Sequence, residues 1–74
     1  RVETRSVEAS LSNYAGERAA ADARRLEGQG RAEEAKRLFA EARTRFEAAL
    51  ASDPGYARPR DNLARLALAI PLTL

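Results

Sequence analysis

The chain has 74 residues, with 13 basic and 11 acidic side chains and a formal net charge of +2. That length allows one small domain burying a limited share of its surface, and the charge is too mild to announce nucleic acid. With no cysteine and no histidine, disulfides, thiolate metal sites and the common nucleophile–base pairs are excluded.

The first stretch, "SLSNYAGERAAADARRLEG", is rich in the helix formers Ala, Arg and Glu. Leu11, Ala15, Ala19, Ala23 and Leu26 recur at spacings of four, four, four and three, which predicts one apolar face, with Val7 and Tyr14 on an adjoining stripe. A helix is expected from about 6 to 27, after five frayed residues. Gly16 costs roughly 1 kcal/mol in a helix interior, so it marks close packing or a bend. "EGQGR" then breaks the run, and Gly28 or Gly30 can take the left-handed conformation that closes a helix.

Residues 31–52 give the clearest helix. Ala35, Phe39, Ala42, Phe46 and Ala49 recur at four, three, four and three, broadened by Ala32, Leu38 and Leu50. Glu33 and Glu34 stand in the first turn, where carboxylates suit the helix dipole. Two long helices joined by a tight turn are expected to fold back as an antiparallel hairpin.

"SDPGYARP" is the second break, because Pro54 cannot continue a helix and disfavours the α region for Asp53. A shorter third helix is expected from about 57 to 70, with Pro59 tolerated in its first turn. Leu63, Leu66, Ala67 and Ile70 form its apolar stripe, and Pro71 ends it. No strand-like alternation occurs, so the fold class is all-α, a single domain over residues 1–74. The apolar tail is too short and too interrupted by Arg65 and Pro71 to span a bilayer, which needs ~20 apolar residues.

The core inventory is thin. Two Phe, two Tyr and a small set of Leu, Ile and Val carry it, and much of the 45% hydrophobic content is alanine. Net stability is expected to be a few kcal/mol at best. All the basic residues but Lys36 are arginine, which fits the coding bias of a GC-rich, bacterial genome. No methionine stands at position 1, so a processed chain or a piece of a longer protein is expected. The compartment is left open.

Chemistry has little to build on. Glu33, Glu34, Glu41 and Glu47 read as a solvated helix face, no loop has calcium-ligand spacing, and "GQGR" is too short for a phosphate loop. No catalytic residue, metal site or cofactor is assigned. The clusters Arg24-Arg25, Arg43-Arg45 and Arg58-Arg60-Arg65 read first as solvated faces with partners such as Glu41–Arg45.

The order of these residues resembles the tetratricopeptide repeat (TPR), a helix-turn-helix unit of about 34 residues. Ala23, Leu26 and Gly30 look like the closing half of its first helix. Glu33, Glu34, Ala35, Phe39 and Ala42 look like its second helix, and Ala49-Leu50 with Asp53-Pro54 like its closure. Leu63 and Ala64 fall where the next repeat would place its leucine and small residue. The resemblance covers about residues 16–69, one and a half repeats. It departs in two ways: Ala19 stands where the family has a large aromatic, and the closing Asp-Pro comes seven residues late. The alanine-aromatic-alanine step is made twice, which adds about two turns to the second helix. That extra length is where a contact specific to this protein is expected.

The resemblance implies a protein-interaction or scaffold module. In the family the concave groove is lined by first-helix residues, which points here to Glu17, Ala20, Arg24 and Glu27, and to Arg58, Asp61, Asn62 and Arg65. Arg24, Arg58, Asn62 and Arg65 are the candidate partner-binding residues, and an acidic peptide is the expected ligand because Arg holds a carboxylate in bidentate fashion. Leu66, Leu68, Ile70 and Leu72 are the candidate apolar interface, and any membrane contact falls on this tail. The alternatives are an assembly subunit whose hairpin makes homo-oligomer or bundle contacts, and an accessory nucleic-acid binder using the arginines.

Overall fold

The computed structural model describes residues 4–69. The protein is all-α: helix α1 is Val7–Gly28, α2 is Ala32–Ser52 and α3 is Ala57–Ala69. α1 and α2 form an antiparallel hairpin on which the shorter α3 packs.

Each boundary has a local cause. Ser6 caps α1, its hydroxyl accepting the Ala9 N–H at 3.0 Å. At the other end Gly30, at φ +79°, takes the left-handed position. The Arg31 N–H reaches the Leu26 carbonyl at 2.9 Å and the Gly30 N–H that of Glu27 at 3.1 Å. This is a Schellman closure, and it settles which glycine makes the turn. The α2–α3 joint is a β-turn over Asp53–Tyr56, closed by the Tyr56 N–H on the Asp53 carbonyl at 3.1 Å. The Asp53 side chain also accepts the Gly55 N–H at 3.2 Å.

The expected α2 stripe is the buried one: Ala35, Phe39, Ala42, Phe46 and Ala49 all face inward, whereas Ala32 is exposed. The α1 face is rotated from expectation. Ala9, Asn13, Gly16, Ala19, Ala20, Ala23 and Leu26 are buried, while Leu11 is 63% exposed and Ala15 half-buried. The cause lies at Gly16. A Cβ there would stand 2.5 Å from Phe46 Cε1, so the ring needs a residue without a side chain opposite it. Turning Gly16 inward carries Ala9 and Asn13 with it. Leu11 lies two residues, about 200° of helix, from Ala9 and is turned to solvent with Val7 and Tyr14.

Two buried clusters result. The larger joins Leu26, Phe39, Phe46 and Leu66 with the alanines between them, flanked by Leu38 and Leu63; the smaller is Ala9, Ala49 and Tyr56. Pro59 in the first turn of α3 is fully buried, but Ala67, expected on the apolar stripe, is exposed. The expectation of five frayed residues does not hold at Thr4, whose hydroxyl donates to Asp53 and accepts the Ser6 N–H. The doubled Ala-Phe-Ala step is core within the chain: Ala35, Phe39, Ala42, Phe46 and Ala49 are all buried.

Candidate groove between α1 and α3

Few apolar side chains hold α3 to α1; polar ones share that work. Asn62 Nδ2 donates to Asn13 Oδ1 at 3.0 Å and to Glu17 Oε2 at 2.9 Å. Arg58 Nε approaches the same Glu17 oxygen at 3.8 Å. Asn13 is only 3% exposed, and a buried amide of this kind keeps its place only when hydrogen-bonded. Sequence reading missed it because a single Asn on a helix has no periodic signature. The clue was its spacing of three from Gly16, the residue that faces Phe46.

Beside this network lies a hollow of about 190 Å³ lined by Glu17, Ala20, Arg24, Phe46, Asn62, Arg65 and Leu66. Its floor includes the Phe46 ring, Leu66 and Ala20, all buried. Arg24 and Arg65 flank it and are exposed. Among the described residues the ion pairs are Arg25–Asp22, Arg31–Glu34, Arg43–Glu47 and Arg58–Glu17, so neither Arg24 nor Arg65 has a carboxylate partner there. On α2 the i,i+4 pair is Arg43–Glu47 in place of the expected Glu41–Arg45. Such exposed pairs contribute at most about 1 kcal/mol.

The expected site residues thus divide. Arg24, Asn62 and Arg65 come together at the hollow, whereas Arg58 is drawn to Glu17. Leu66, expected at an apolar interface, is 2% exposed and belongs to the core, because the inward face of α3 must cover Phe46 and its neighbours. Leu68 is 88% exposed, on the opposite side of α3. Ile70 and Leu72 lie outside the described residues.

Outside the groove, Arg18 Nη1 donates to the Tyr14 hydroxyl at 3.4 Å, and this contact pushes the guanidinium pKa above its ordinary value. The group is already charged at any physiological pH, so it introduces no pH dependence. Among the described residues no three His, Cys, Asp or Glu side chains come together as a metal site, and no helix is long and apolar enough to cross a membrane.

No family model matches this chain, and no curated protein and no solved structure matches it.

Proposed function

We propose that this chain is a non-catalytic protein-interaction module of TPR-like type that holds an acidic peptide segment in the groove between α1 and α3. One observation carries the reading: Arg24 and Arg65 flank an apolar-floored hollow without carboxylate partners among the described residues, while the groove's own carboxylate, Glu17, is occupied by Asn62 and Arg58. The TPR resemblance supports it, since it assigns these same first-helix positions to a binding surface. The absence of His and Cys from the sequence supports a non-catalytic role.

Calorimetric titration with a short glutamate-rich peptide tests this. Binding is expected, and the double variant Arg24→Gln/Arg65→Gln is expected to weaken it at least about tenfold, the loss of two charge-assisted hydrogen bonds. Binding unaffected by that variant, with helicity intact, sinks the reading.

Self-association is the second reading, favoured by a single feature: Val7, Leu11 and Tyr14 expose one apolar stripe on the outer face of α1. The heptad residues of α2 are buried within the chain and do not serve it. Light scattering decides: a dimer mass that reverts to monomer in Leu11→Ser supports this reading, and a monomer mass for the unmodified chain ends it.

A further inference from the structure

Asn62 has one amide nitrogen with two hydrogens and one carbonyl oxygen with two lone pairs. Both hydrogens are engaged, one by Asn13 Oδ1 and one by Glu17 Oε2. The Glu17 carboxylate only accepts, so the amide orientation is fixed by chemistry: the nitrogen must face α1. What Asn62 retains for any other group is acceptor capacity alone. Yet Asn62 lines the hollow together with Arg24 and Arg65, neither of which has a carboxylate partner among the described residues.

We propose that Asn13 is a positioning residue for the groove, and that Asn62, held by it, meets a partner only as a hydrogen-bond acceptor. The groove then presents donors at Arg24 and Arg65 and an acceptor at Asn62 on the same lining. That pattern fits a segment carrying both a carboxylate and an N–H, which is a peptide with acidic side chains. It does not fit the phosphodiester backbone of a nucleic acid, which offers acceptors only and would set its oxygens against the Asn62 carbonyl. Two arginines alone attract any polyanion; the fixed acceptor discriminates between them. This rests on the proposed peptide groove and names the feature that makes it selective.

Asn13 matters because it is the buried half of the pair. Without it one Asn62 hydrogen loses its acceptor while Glu17 keeps the other. The amide, tethered by a single bond to the half-buried Glu17, can then swing about that bond and offer the released hydrogen as a donor.

The test titrates the full chain with a glutamate-rich peptide and with inorganic polyphosphate, a polyanion that offers acceptors only, at matched charge and one ionic strength. The peptide is expected to bind about tenfold more tightly, near the upper end of what one added hydrogen bond contributes. Equal affinities, or tighter binding of the polyphosphate, overturn the proposal while leaving the groove reading standing. If neither polyanion binds, both fall together. In Asn13→Ala, the preference for peptide is expected to shrink several-fold with helicity unchanged; an unaltered preference removes Asn13 from the role. A second measurement does not depend on that variant folding. The Asn62 side-chain amide protons of the unmodified chain, followed by NMR, should stay protected from solvent exchange before and after peptide is added. Loss of that protection on binding would mean that Asn62 donates to the ligand, and the proposal fails.

Discussion

The two ends of the α1–α2 hairpin are held by different means. At the turn end, Ala23, Leu26, Ala35 and Phe39 belong to an ordinary apolar cluster, and a Schellman closure locks the chain reversal. At the open end, α1 buries no large apolar side chain: Gly16 and Ala9 face α2, and Asn13 reaches Asn62 on α3. There the Phe46 ring lies against bare backbone, and Tyr56 from the α2–α3 joint completes the packing. The turn end satisfies itself, while the open end depends on the joint and on α3. Long helices built largely of alanine bury little area per residue, so a second aromatic needs either an equally long partner or a third element over it. This chain uses both.

That contrast can be broken most strongly at Phe46. Phe46→Ala is expected to cost about 3–5 kcal/mol and to loosen α3 as well, since Phe46, unlike Phe39, lines the α1–α3 hollow together with Leu66. Phe39→Ala should cost a similar amount but leave α3 docked. Denaturant unfolding with a probe on α3 distinguishes them, and loss of α3 in both variants would erase the contrast.

Gly16→Ala sharpens it. The added methyl would overlap the buried ring, an overpacking cost of about 1–3 kcal/mol, against a helix-propensity gain of roughly 1 kcal/mol. The overlap outweighs the gain, so Tm should fall. Phe46→Leu in the same chain should restore part of the loss, giving a coupling of about 0.5–3 kcal/mol. Additive effects would mean that the two residues do not meet. The smallest effect is expected from Leu11→Ser, within about 0.5 kcal/mol in the monomer, because this leucine already faces water. A large loss there would mean that the apolar stripe is covered in solution.

Much of this was legible in the sequence. The three helices, both breaks and the inward face of α2 follow from periodicity and from Pro and Gly, whose backbone limits are local. The α1 face was not legible. Leu11 carries the larger apolar signal, yet Gly16 decides the rotation, because a close approach is selected by the partner's ring and not by hydrophobicity along α1. Leu66 stood on the apolar stripe of α3 and also among the interface candidates, because a short amphipathic stripe shows that one face is buried without showing what buries it; the hairpin does. Of the candidate arginines, Arg24 on α1 and Arg65 on α3 line the hollow, while Arg58 turns to Glu17. The Asn13–Asn62 pair could not be found by spacing, since it joins positions on different helices.

The Asn62–Asn13 and Thr4–Asp53 hydrogen bonds each join residues 49 apart in the chain. The hairpin itself closes over a tight turn, with no long loop to order. Loop closure favours the nearer contacts, so the turn end of the hairpin assembles first, and these two hydrogen bonds close last. In reverse, they are the first to open. The groove is therefore assembled late and released early, while the turn end of the hairpin stays closed.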